Sequence, residues 1–104
     1  MIELTGDNFD NVKSADFFLV DFSAEFCMPC KMMKPTLEEL ESEYTDKITM
    51  GEVDVSNNHQ LAIDYNVTAV PTIIIFKDGK IVKRLVGGRS KSELKIAIDE
   101  VIGE

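Results

Sequence analysis

Residues 17–23 read FFLVDFS: five apolar side chains around one acid, Asp21, with no alternation of polar and apolar positions. A strand with one wet face alternates, so a run that is apolar at successive positions has to be covered on both sides. In a chain of 104 residues this is expected of a central strand buried on both faces, and the rest of the chain must supply the cover.

Helices supply that cover. From Met28 onward, Met33, Leu37, Leu40 and Tyr44 recur at spacings of four, three and four, while Glu38, Glu39, Glu41 and Glu43 occupy the other side. Pro35 is expected to bend that helix and not to end it. MIEL at the start reads as a short strand and TGDNFDNVKSA as a short helix after it. ITMGEVDV, 48–55, reads as a third strand, and Ser56 is placed to cap a short helix through Leu61, Ala62 and Tyr65. TIIIFKDGKIVKRLV reads as a hairpin, because Asp78-Gly79 supplies the positive φ that a tight turn needs. After Gly87-Gly88, Ser90 and Glu93 form a capping box. It opens a last helix with an apolar stripe of Leu94, Ala97, Ile98, Val101 and Ile102. The expected order is β-α-β-α-β-α-β-β-α, an α/β fold with a mixed central sheet of about five strands and about four helices. No repeat or Gly/Ser/Pro-rich linker interrupts it, and a hydrophobic content of 44% suffices for one core, so residues 1–104 are expected to form a single domain.

Charge narrows the possible partners. Nineteen acidic against 11 basic residues give a formal charge of -8, which repels phosphate backbones and anionic lipid. Neither nucleic acid nor a membrane surface is expected to bind through a basic patch. The start carries no basic n-region, and FFLVDF is too short for a membrane span, so a cytoplasmic location is expected.

Both cysteines lie in FSAEFCMPCKMMKP, 22–35, two residues apart. Such a pair can be a metal clamp, a structural staple or a reversible redox couple. A permanent disulfide is disfavoured in a reducing cytoplasm. Zinc usually takes four ligands, and the one histidine, His59, lies far off in the polar stretch SNNHQ, where it reads as a surface residue. Redox chemistry is the remaining reading. Where a strand passes through a short turn into a helix, Cys27 falls at the helix start, where unpaired N–H groups and the positive end of the macrodipole stabilise a thiolate. Cys30 lies about one turn on, close enough to close a small ring. Pro29 suits a first-turn position that needs no N–H donor. Lys31 and Lys34 add a modest, screened attraction. In the expected mechanism Cys27 attacks a target disulfide and Cys30 resolves the mixed disulfide. Cys30, deeper in the helix, then needs a base. Asp21, an acid inside an apolar strand, is the candidate proton relay.

These residues bring a family into view. VDFSAEFCMPCK, Pro35, VDV at 53–55, YNVTAVPTIIIFKDGK and VGG at 86–88, in this order, resemble the thioredoxin family over essentially the whole chain. The resemblance implies the thioredoxin fold, with a cis Val70-Pro71 peptide facing the cysteines. It also implies a shallow apolar target-binding surface of Phe26, Val55, Val70, Val86 and Gly87, with Pro71 at the edge that receives an extended target segment. It implies a monomer that reduces protein disulfides, holds no cofactor or metal beyond the Cys27–Cys30 disulfide, and is re-reduced by a thioredoxin reductase. A disulfide isomerase or oxidant, and a non-enzymatic adaptor on the same scaffold, are the competing readings.

Four positions depart from the family pattern. The common run is Trp-Cys-Gly-Pro-Cys, whereas Phe26-Cys27-Met28-Pro29-Cys30 stands here. Met28 replaces a permissive glycine with an oxidisable thioether beside the nucleophile. Ser23 replaces a second tryptophan. Glu52 stands where a lysine commonly sits near the buried carboxylate; pointed at Asp21, it would make one of the two acids hold its proton more tightly. Met28, Pro29, Lys31 and Glu52 are therefore expected to tune the couple.

Overall fold

A computed structural model describes residues 1–103. The chain runs β1 (Ile2–Leu4), α1 (Phe9–Lys13), β2 (Phe17–Ser23), α2 (Met28–Glu43), β3 (Thr49–Asp54), α3 (His59–Asp64), β4 (Thr72–Lys77), β5 (Lys80–Val86) and α4 (Lys91–Ile102). The sheet order is β1-β3-β2-β4-β5; β1, β3 and β2 are parallel, and β4 and β5 are antiparallel to their neighbours. Element order and sheet type are those expected from the sequence.

The run at 17–23 takes the central position its composition demands. Along β2, Leu19 points into a core layer shared with Met33, Leu37 and Leu40 of α2 and with Leu94, Ala97, Ile98 and Val101 of α4. Phe18, Val20 and Phe22 point the other way, into a layer with Phe9 of α1, Leu61 of α3, Ile74 and Phe76. Aromatic rings fill much of this second layer: Phe9 meets Phe18 edge-on at 5.7 Å, and Phe18 stacks on Phe76 at 5.5 Å. Both faces of β2 are thus dry. Asp21 shares the parity of Leu19 and so faces the α2 side. At the β1–β3 contact Gly51 makes room, since a Cβ there would overlap the Leu4 side chain.

The local signals read in the sequence account for several element ends. Asp78 and Gly79 turn the hairpin with φ of 52° and 81°. In α4, Ser90 Oγ accepts from the Glu93 N–H and Glu93 Oε1 accepts from the Ser90 N–H, closing the capping box. Helix α2 continues through Pro35 to Glu43. Two details differ from expectation. Helix α3 starts at His59, after Asn58, and not after Ser56. The Asp54 carboxylate accepts the Ser56 N–H at 2.9 Å and an Asn57 side-chain N–H at 3.2 Å, and its carbonyl accepts an Asn58 side-chain N–H at 3.0 Å, so residues 54–58 form a polar turn ahead of the helix. The hairpin also carries an irregularity: Ile75 pairs with Lys83 but Phe76 with Ile81, which leaves Val82 extra.

Candidate active site

The turn between β2 and α2 carries the two cysteines to the C-terminal end of β2. Cys27 is the N-cap of α2, with extended backbone at φ -108° and ψ 109°. Its Sγ accepts the Cys30 N–H at 3.2 Å, one of the amides that a helix start leaves unpaired. The two sulfurs are bonded to each other, with Cα atoms 5.3 Å apart. Met28 and Pro29 occupy the first two helical positions and are exposed, whereas Cys30 turns inward and is only 4% exposed. Cys27 stays partly exposed, so the two residues differ in access: the outer cysteine is the more open and the inner one is buried. Lys31 is exposed, and its N–H donates to the Cys27 carbonyl at 3.1 Å.

Behind the pair lies a cleft of about 220 Å³, lined by Ser23, Ala24, Glu25, Cys30, Lys31, Lys34, Glu52 and Asp54. Glu52 lies beside Asp21 in the parallel register of β2 and β3, so the two acids share a face of the sheet. Asp21 is 1% exposed, and neither carboxyl oxygen has a hydrogen-bond partner among the described residues. Burial pushes this carboxyl from its ordinary 3.8 up to about 7; the Glu52 charge adds to the rise and Lys34 opposes it. The sequence had placed Lys34 only among the cations near Cys27. In the fold its ammonium reaches Glu52 at 3.8 Å. The signal was present, since Lys34 is four residues after Cys30 and so on the same side of the helix.

The structure joins some of the residues expected at the target surface and leaves others apart. The Val70-Pro71 peptide is cis. Pro71 is buried, and its carbonyl accepts the Gly87 N–H at 2.8 Å, which ties the loop after β5 to the start of β4. Gly87 sits at φ 91°, a conformation that favours glycine. The next residue, Gly88, abuts the active-site helix: a Cβ there would lie 3.8 Å from the Pro29 Cβ. Sequence reasoning had placed Gly87 on the target surface but had read Gly88 only as part of a chain break and of the family motif. Val86 is half exposed and Phe26 is 91% exposed. Val55 and Val70 line a separate groove of about 380 Å³ with Ala62, Ile63 and Val67. His59 lies on the rim of that groove. Among the described residues no group of three or more His, Cys, Asp or Glu could hold a metal ion, and no helix is long and apolar enough to cross a membrane.

A strand-turn-helix that presents a disulfide at a helix N-terminus, with the inner cysteine lining a cleft and a buried acid on the preceding strand, can take up and release two electrons by thiol exchange. Comparison with known proteins gives the same chemistry. The family model described as Thioredoxin matches residues 1–100. A thioredoxin of Buchnera aphidicola subsp. Acyrthosiphon pisum is 40% identical over 104 residues, covering 98% of this chain and 96% of that one. A bifunctional thioredoxin reductase/thioredoxin of Mycobacterium leprae is 40% identical over 103 residues, covering 97% of this chain and 22% of that protein. Among solved structures, a mutant thioredoxin from Halobacterium salinarum superimposes with a TM-score of 0.90 at 37% identity, covering 97% of this chain and 89% of that one.

Proposed function

The chain belongs to the thioredoxin family and is a thiol-disulfide oxidoreductase with protein-disulfide reductase activity, and from that premise we infer the division of labour at its site. Cys27 is the attacking thiolate and Cys30 the resolving thiol. What carries this assignment is Cys27, a partly exposed residue whose Sγ lies within 3.2 Å of a helix-start amide, against the burial of Cys30.

The exchange proceeds in two steps. The Cys27 thiolate attacks one sulfur of a target disulfide, a new S–S bond forms, and the other target sulfur leaves as a thiolate. Cys30 then loses its proton to the Asp21 carboxylate and attacks Cys27 Sγ. The mixed disulfide breaks, and the second target sulfur leaves with the electron pair and takes up a proton. The target gains two electrons and the Cys27–Cys30 bond is restored. Asp21 suits the acceptor role because burial holds its proton affinity near neutrality, where a base both accepts and releases readily.

Phe26, Val55, Val70, Val86 and Gly87 form the target-binding surface, with Val70-Pro71 as the edge that receives an extended segment. Met28, Pro29, Lys31 and Glu52 tune the couple. No cofactor is needed, since the electrons reside on the two sulfurs, and the protein works as a cytoplasmic monomer. A thioredoxin reductase returns it to the dithiol; the Mycobacterium leprae relative, whose name joins the two functions in one protein, supports this pairing.

Cysteine replacement tests the assignment. Cys27→Ser is expected to abolish turnover of a disulfide-bonded protein with dithiothreitol as donor, and undiminished turnover would remove it. Cys30→Ser is expected to accumulate the mixed disulfide, seen as a target-sized mass increase that dithiothreitol reverses.

A further inference from the structure

Lys34 of α2 and Glu52 of β3 face each other at 3.8 Å across the cleft that Cys30 also lines. Glu52 is in turn the register neighbour of Asp21. A buried carboxyl without a hydrogen bond has only burial and the local field to set its charge. The titratable or charged groups around Asp21 are few. Glu52 comes from β3 and Lys34 from α2, whose Cys30 lines the same cleft as these two. On β4 the register partner is Ile73, and α4 brings Leu94, Ala97, Ile98 and Val101 to this layer. Glu25, Lys31 and Asp54 complete the rim of the cleft. Two opposite charges therefore dominate. Glu52 resists ionisation of Asp21 and Lys34 assists it.

We propose that Lys34 is a positioning residue for the exchange reaction: paired with Glu52, it cancels part of the acid's field at Asp21 and so keeps a carboxylate available for the Cys30 proton near neutral pH. The inference rests on the reading of Asp21 as proton acceptor. The pair acts on the second step alone, where Cys30 S–H gives its proton to Asp21 and the Cys30 electron pair forms the bond to Cys27. Without Lys34 the Glu52 charge is unopposed, Asp21 keeps its proton to higher pH, and resolution slows below that point. The Lys34 side chain is 53% exposed, so its influence is screened by salt and strongest at low ionic strength.

Two measurements on the full chain test this. One is the carbon-13 NMR titration of the Asp21 carboxyl in the reduced protein. The other is the pH profile, at low salt, of thiol release from a labelled disulfide peptide in a single turnover. Lys34→Met is expected to move both midpoints upward and to slow release on the acid side by roughly threefold. Glu52→Gln moves both downward, the double variant returns close to the unmodified protein, and Lys34→Arg preserves both. A purely structural role for Lys34 would not produce opposite shifts that cancel. If Asp21→Asn flattens the release profile while Lys34→Met leaves both midpoints in place, the inference falls and the proton-acceptor reading stands. If Asp21→Asn leaves the profile unchanged, the acceptor reading falls and takes the inference with it.

Discussion

At Asp21 one side chain links function to stability. Unfolded, it releases its proton near 3.8; folded, it holds it up to about 7 because burial and Glu52 disfavour the charge. The folded state binds more protons between these values. The stability due to this group is therefore complete below about 3.8 and lost as pH rises through about 7. The difference corresponds to at most about 4 kcal/mol. Asp21→Asn is expected to remove that dependence, making the variant more stable than the unmodified protein at pH 8 and bringing the two close at pH 4. Urea unfolding at both values checks it, and parallel stabilities at the two values would contradict it. The same substitution is expected to slow release of reduced target, so stability and activity would move in opposite directions. Other site residues were visible in the sequence for different reasons. Cys27, Pro29 and Cys30 announce themselves by spacing, and Asp21 by being an acid in an apolar strand. Lys34 showed only that it shares a helix side with Cys30, and Gly88 only a break in the chain, because their contacts depend on what lies across the cleft and across the loop.

At the scale of single elements, the strongest local signals gave the right ends. The capping box of α4 closes with both reciprocal hydrogen bonds, and Ser90→Ala is expected to cost about 1 kcal/mol of stability, measured by urea unfolding. A companion Glu93→Ala removes the other half of the box, and non-additivity in the double variant would show that the two bonds act together. Helix α2 keeps Met33, Leu37 and Leu40 buried along its length, as its periodicity required, and runs on through Pro35. Helix α3 is where local reading failed. Ser56 is a good cap by type, but residues 54–58 close a polar turn on Asp54, whose carboxylate accepts the Ser56 N–H, and the helix begins only after that turn. The extra residue at Val82 was likewise illegible, because a bulge depends on the register that the partner strand permits.

Across the whole molecule, strand order and burial predict a sheet most stable at its middle. Strands β2 and β4 are bordered by strands on both sides and buried on both faces, while β1 and β5 are edges. Amide hydrogen exchange is expected to be slowest at Leu19–Phe22 and Ile73–Phe76 and faster along β5; uniform protection across the sheet would contradict this ordering. Leu37→Ala, at the contact of α2 with the central sheet, is expected to cost roughly 2–5 kcal/mol, read from the urea midpoint. The amino-acid sequence by itself determined the element order, the double-sided burial of β2, the hairpin turn and the place of the cysteines at a helix start. Each of these follows from side-chain periodicity or from backbone preferences within a few residues. Only the tertiary structure decided that Glu52 stands beside Asp21, that Lys34 answers it from the facing helix, and that Gly88 closes on Pro29. Those relations depend on strand register and helix packing, which bring together groups far apart along the chain and let the charge on one set the proton on another.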